Sequence, residues 1–381
     1  MTQSLRQAAG SLLVVGLAGK DLTEMERAWL KLIRPAGIIL YRRNITDVKQ
    51  TRALLAEATS FCCSHPPTFV DVEGGTVNRL NLALAAIPSA QAVATAMLRT
   101  GKKSIAREHG ELIARAVAAF GFNTSLAPMV DLALPDSAEV LGTRCAAADP
   151  LDVVTYAREF LAGLKSRGIA GCGKHFPGLG GGTLDTHVET PAIGRNWQQM
   201  WNEDLVPYRE LHSEMPIVMM NHAAYPHTPG RKLPASVSDF WIGKVLRGRI
   251  GYRGIILSDD LEMGGILKFM PIDEAAVAAI RTGSDLVEIC HHPEPILLAY
   301  EALVTEAERS AAFGKLLLKR AAQTRKLCAS VFPGRMPAAL SQKQFESLRT
   351  RILQFNETIE SIVPRAAEAG PAKPPSIVES A

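Results

Sequence analysis

Eight short apolar runs, each followed by a longer amphipathic stretch, constrain this chain more than any other feature. The runs are Leu12–Gly16, Gly37–Leu40, Thr68–Val72, Thr124–Ala127, Gly168–Gly173, Ile217–Met220, Gly254–Leu257 and Leu286–Ile289. Most are continuous and rich in Val and Ile, without the polar alternation of a half-exposed sheet. That pattern predicts parallel strands buried on both faces. Between them lie helical patterns such as Thr46–Ser60, Ser104–Phe120 and Pro150–Ser166. Asp149 before Pro150 predicts a helix start, and Thr23 with Glu26 predicts a capping box.

Eight β-then-α units predict an α/β fold closed as a single (β/α)8 TIM-type barrel, with a doubly wound open sheet as the competing arrangement. We expect residues 1–335 to form the barrel and 336–363 a helical extension. The remainder, 364–381, is rich in Ala, Pro and Glu, and is expected to be a disordered tail.

The 381 residues carry 42 Lys+Arg and 38 Asp+Glu, a net charge of +4. So small and scattered a surplus does not point to nucleic acid or acidic lipid as partner. The six cysteines form no C-x-x-C pair and predict free thiols in a reducing compartment. The apolar run Leu12–Ala18 leads straight into the capping-box segment, so it reads as a first strand rather than a secretory signal, and a cytoplasmic location is expected. No run of 18 or more apolar residues predicts a membrane span.

Polar residues of the catalytic kind follow five strands. They are Asp71 and Glu73 after the third, Asp131 after the fourth, Lys174 and His175 after the fifth, Asn221 and His222 after the sixth, and Asp259 and Asp260 after the seventh. A single Asp there is often a helix cap. Five such groups converging on one rim predict a substrate site, because unpaired charges gathered there are costly unless they serve a ligand. The fifth run enters a loop, Gly173–His187, with glycines at 178 and 180–182 and an Asp185-x-His187 pair. No Gly-Lys-Ser/Thr follows, so a phosphate cradle is not expected. The spacing lets the Asp185 carboxylate orient the His187 imidazole, although a simple loop-anchoring hydrogen bond has the same spacing. His175, His187 and His222 match no zinc spacing, and Lys174 would repel a cation, so neither metal nor other cofactor is expected. There is no G-x-S-x-G elbow. Carboxylate chemistry with a separate proton donor remains, the combination that glycoside cleavage uses.

These residues resemble glycoside hydrolase family 3, and within it the bacterial β-N-acetylglucosaminidases of cell-wall recycling. The resemblance spans roughly residues 10 to 335. It is carried by Val70-Asp71-Val72-Glu73-Gly74-Gly75 through Arg79, Leu141-Gly142-Thr143-Arg144, Lys174-His175-Phe176-Pro177-Gly178 with Asp185-Thr186-His187, and Leu257-Ser258-Asp259-Asp260-Leu261-Glu262-Met263. It implies that Asp259 is the nucleophile of a retaining double displacement, with His187 as acid/base and Asp185 as its partner. It implies that Asp71, Arg79, Arg144, Lys174 and His175 bind the sugar, and that Asp260 is structural. Asn221 and His222 read as residues behind the reacting groups. Leu179 stands where many relatives carry His, Thr76 where many carry Arg, and Cys145 where Ser is commoner; Leu179 is expected near the leaving group. Too few residues follow the barrel for the second domain that many β-glucosidase-type relatives carry. The implied substrate is a small carbohydrate, a GlcNAc-containing glycan or muropeptide. Phosphate as acceptor and a catalytically silent sugar-binding barrel are the competing readings.

Overall fold

The computed structural model describes residues 4–182, 191–332 and 334–364. All eight predicted strands are present: β1 Leu13–Gly16, β2 Gly37–Leu40, β3 Thr68–Val70, β4 Thr124–Ser125, β5 Ala170–Phe176, β6 Ile217–Met220, β7 Ile255–Asp260 and β8 Leu286–Ile289. They pair in parallel and in chain order, and β1 pairs back onto β8 with Val14 opposite Glu288, closing the barrel. Closure rules out the open sheet. The chain is a (β/α)8 barrel with further helices after it.

Strand alternation splits the core in two. Val14, Ile39, Phe69, Cys172, Met219, Leu257 and Leu286 point inward and fill the barrel. Their neighbours Leu13, Val15, Ile38, Leu40, Val70, Val218, Ile256 and Val287 point outward onto the helices. Both faces are therefore dry, which is why these strands read as continuous apolar runs. The inward positions one step nearer the strands' C-terminal ends are Tyr41, Asp71, Lys174, Asp259 and Glu288. The barrel's inner wall thus changes from apolar to charged within one residue pair.

Helix starts follow the local signals. Thr23 caps Glu24–Ile33 in a capping box with Glu26, and Asp149 caps Pro150–Ser166. The helix predicted from Thr46 begins at Val48 because the Asp47 side chain accepts from Gln50 N. Beyond β8, the helices Pro293–Arg309 and Ala311–Val331 are separated at Ser310, which caps the second. Gln342–Ile362 lays Leu348, Ile352, Phe355 and Ile359 against the helices Ala90–Thr100 and Ser104–Ala119. The six cysteines are free, and all but Cys63 are buried. Among the described residues no helix is long and apolar enough to cross a membrane.

Two boundaries matter for the site. β3 stops at Val70, so Asp71 sits between it and a short hairpin, Val72–Gly74 paired with Val77–Asn78. Gly74 in that hairpin has φ +92°, and a Cβ there would lie 2.1 Å from Pro88 O, so only glycine fits. β5 runs three residues past its predicted end, which places Lys174 and His175 inside the strand rather than in the loop.

Candidate active site

The charged rim is an interlocked cage. Lys174 Nζ lies 2.7 Å from Asp71 Oδ1 and 2.7 Å from Glu73 Oε1. Arg144 holds Glu73 through two parallel bonds, Nε and Nη2 each 2.9 Å from a carboxylate oxygen. The Arg79 guanidinium approaches Asp71 at 4.0 Å and lies over the Tyr41 ring. Burial opposes ionisation of Glu73, but Arg144 and Lys174 outweigh it and hold its carboxyl far below the usual range. Asp71 is likewise held below its ordinary value, with Lys174 and Arg79 overcoming burial. Lys174 is raised in turn, because Asp71 and Glu73 outweigh its own burial. Asp71, Glu73, Lys174 and Arg144 are therefore charged at neutral pH.

His175 is fixed from behind. Asp131 Oδ2 accepts from both its backbone N (3.1 Å) and its ring Nδ1 (2.8 Å), and Asp131 Oδ1 accepts from Leu179 N at 2.8 Å. A carboxylate only accepts, so Nδ1 carries the proton and Nε2 is the nitrogen left for a ligand.

Asp259 is partly exposed at the end of β7, and its Oδ1 accepts from the backbone N of Asp260 at 3.0 Å. Asp260 is buried and occupied: Oδ1 accepts from Glu262 N at 3.0 Å, and Oδ2 lies 3.2 Å from His291 Nε2. His222 Nε2 donates to the Asp260 carbonyl at 3.0 Å, and its Nδ1 lies 2.7 Å from Ser236 Oγ. Burial lowers the His222 pKa, so the neutral ring acts as a strut behind β7.

Asp185 and His187 lie outside the described residues; both feet of their loop lie inside. The incoming foot is tied by Leu179 N to Asp131 and by Gly178 O, which accepts from Tyr225 Oη at 2.8 Å. The outgoing foot is tied by Ile193 N to Ala224 O at 2.8 Å. A Cβ on Gly181 or Gly182 would lie 2.7 Å from Arg195 Cδ or Ile193 Cδ1, so the two feet are in contact. Among the described residues no group of three or more His, Cys, Asp or Glu side chains is arranged to hold a metal ion.

The sequence pattern of the glycosyl hydrolase family 3 N-terminal domain matches residues 4–315. The chain belongs to glycosyl hydrolase family 3. A β-hexosaminidase of Alkalilimnicola ehrlichii is 37% identical over 289 residues, 74% of this chain and 82% of the relative. One from Xylella fastidiosa is 33% identical over 339 residues, covering 87% and 98%. NagZ of Neisseria gonorrhoeae superposes with a TM-score of 0.72 at 27% identity, over 92% of this chain and 97% of that one. That protein has also been solved with N-trifluoroacetyl-D-glucosamine and with zinc. A family 3 β-N-acetylglucosaminidase of Paenibacillus superposes with a TM-score of 0.82 at 28% identity, over 93% of this chain and 69% of its own. The family 3 chain described here is a glycoside hydrolase of the β-hexosaminidase kind.

Within this family 3 barrel, Asp71, Arg79, Arg144, Lys174 and His175 come together at one mouth, with Asp259 on the same inner wall. Leu179 is buried in the main apolar cluster, where it anchors the loop foot. Reasoning from sequence placed Glu73 on the rim but did not identify it as the carboxylate that joins Lys174 to Arg144. Its place two residues after Asp71, ahead of Gly74-Gly75, was the available signal. Asp131 was recognised as a rim acid but not as the partner of His175.

Proposed function

We propose that this enzyme removes terminal, non-reducing GlcNAc residues by a retaining double displacement. Asp259 is the nucleophile: its Oδ1 is tied to the Asp260 N–H, which leaves Oδ2 to attack the anomeric carbon. His187, oriented by Asp185, gives its proton to the leaving oxygen, so Asp259 carries the glycosyl group as an ester. The same imidazole, now neutral, takes a proton from water as that water attacks the anomeric carbon and releases Asp259. An ordinary imidazole pKa of about 6.5, raised by a neighbouring carboxylate, suits both roles near neutral pH.

Asp71, Arg79, Arg144, Lys174 and His175 are proposed to hold the sugar hydroxyls and the acetamido group. Their support is geometric: side chains locked by one another present donors at fixed positions, which lowers the cost of ordering a bound sugar. The observation that carries the reading is Asp259 itself, partly exposed and inward-facing beside this cage, while Asp260 is buried and fully engaged. Muropeptides as natural substrates belong to the same proposal and rest on the resemblance. The cytoplasm as the compartment rests on reading Leu12–Ala18 as a first strand, and the division into a barrel over 1–335, a helical extension over 336–363 and a tail beyond rests on the eight β-then-α units and the composition that follows them.

The test is the initial rate on p-nitrophenyl β-GlcNAc and p-nitrophenyl β-glucose, with and without phosphate. Strong preference for GlcNAc, unaltered by phosphate and abolished in Asp259→Ala, is expected. Release of GlcNAc-1-phosphate assigns phosphate as the acceptor. Near-wild-type activity in both Asp259→Ala and His187→Ala overturns the proposal.

A further inference from the structure

Strand β8 carries a side chain for which this reaction has no use. Glu288 points into the barrel between Leu286 and Cys290 and is 2% exposed. Its Oε1 accepts from Cys290 Sγ at 3.2 Å, while the buried Oε2 has no hydrogen-bond partner. Leu286 pairs with Leu257 across the strands, and after a register shift Glu288 pairs with Asp260. Glu288 therefore lies at the end of β7 that carries both Asp259 and Asp260, within electrostatic reach of each carboxylate.

The titratable groups that face Glu288 are acids. Tyr41 follows β2, Asp71 follows β3, Cys172 lies on β5, Asp259 and Asp260 end β7, and Cys290 follows β8. The cations nearby are committed elsewhere. Lys174, Arg144 and Arg79 serve Asp71 and Glu73, and Arg43 serves the Cys290 carbonyl and the Tyr41 ring. Both histidines on this side face Asp260, His222 at its carbonyl and His291 at its carboxylate. β1, β4 and β6 contribute no titratable side chain. Burial, followed by Asp259 and Asp260, pushes the Glu288 carboxyl well above its ordinary range.

We propose that Glu288 is a positioning residue that works as a neutral carboxylic acid beside Asp259, and that its ionisation as pH rises closes the site. A third carboxylate beside Asp259 and Asp260 would find no uncommitted counter-ion among the nearby described residues named above. It would either draw Lys174 off Asp71 and Glu73 or admit water to the barrel floor, and both loosen the cage over which Asp259 acts. The inference rests on the nucleophilic role proposed for Asp259.

The test uses 2,4-dinitrophenyl β-GlcNAc, whose leaving group needs no proton, so His187 drops out of kcat/KM. Profiles of wild type, Glu288→Gln and Glu288→Leu are each normalised to their own maximum. Wild type is expected to fall about tenfold per pH unit beyond the ionisation of Glu288, while both variants stay level through that range. Independently, the Tm gap between Glu288→Gln and wild type should widen with pH from about 4.3, where the unfolded glutamate ionises, and level off where the activity limb begins. A falling limb shared by all three proteins, or a constant gap, overturns the inference. Failure of wild type to cleave this glycoside instead overturns the substrate reading, and the Tm gap then decides on Glu288 alone.

Discussion

Asp131 grips His175 twice through a single oxygen, Oδ2, which accepts from the backbone N at 3.1 Å and from ring Nδ1 at 2.8 Å. The other oxygen takes Leu179 N, so one buried carboxylate fixes both the His175 imidazole and the first foot of the loop that carries Asp185 and His187. His175 on β5 and the start of the loop are therefore tied to the same carboxylate.

Asp131→Asn tests that coupling. The amide keeps the shape but loses the charge and offers hydrogens where Nδ1–H also donates. A stability loss of about 2–3 kcal/mol is expected from weakened buried charge-assisted bonds. Misplacement of His175 and the loop foot is expected to lower kcat/KM by about 10²-fold. Urea denaturation and steady-state rates measure the two effects. Lower stability with wild-type kcat/KM would reduce Asp131 to scaffolding.

Glu73→Gln separates buried from exposed ion pairs. Glu73 is 3% exposed and pairs with both Lys174 and Arg144, so removing its charge strands Arg144, leaves Lys174 to Asp71 alone and is expected to cost about 3–5 kcal/mol. Glu214→Gln, which breaks the exposed Arg158–Glu214 pair, is expected to change stability by less than about 1 kcal/mol. Similar midpoint shifts in denaturant for the two variants would mean the cage is not a linked network.

The cage also sets the response to acid. Asp71 and Glu73 have folded-state pKa values below their unfolded values. Their contribution is thus complete above the unfolded values of about 3.9 to 4.3 and is lost as pH falls below them toward the folded values. Wild type is expected to lose stability steeply below about pH 4. Glu73→Gln should lose less over the same interval, since one of the two protonation steps is gone. Parallel curves of Tm against pH for the two proteins would contradict this.

The barrel was legible in sequence because every strand is dry on both faces and each run is short, apolar and bounded. The rim was legible as residue types at strand ends, and the resemblance ordered them. What stayed hidden depends on contacts between distant segments. Glu73 is a ligand for Lys174 and Arg144 only because the hairpin folds its side chain beneath both. Leu179 sits beside the loop glycines in sequence, yet its backbone tie to Asp131 comes with burial of its side chain in the apolar cluster. Glu288 lies in a run that reads as apolar strand, and only the inward register of β8 brings it next to Asp259. The β5 boundary was placed short because Lys174 and His175 read as loop residues, although the strand continues through them.

The adjacent carboxylates on β7 differ in what holds them. Asp260 has both oxygens engaged, by Glu262 N and by His291, whereas Asp259 has one oxygen held and one free. Asp259→Ala is therefore expected to lower kcat by on the order of 10³-fold or more, the scale set by removing a nucleophile. Asp260→Asn retains an acceptor for Glu262 N and is expected to lose only about tenfold, mainly through the weakened contact with His291. Azide supplies a further discriminator. It can enter the space left by Asp259→Ala and attack the anomeric carbon of an activated aryl GlcNAc from that face, giving an α-glycosyl azide. Asp260→Asn leaves the Asp259 side chain in place and should give no such product. Recovery of rate by azide in Asp260→Ala but not in Asp259→Ala would exchange the roles of the two residues.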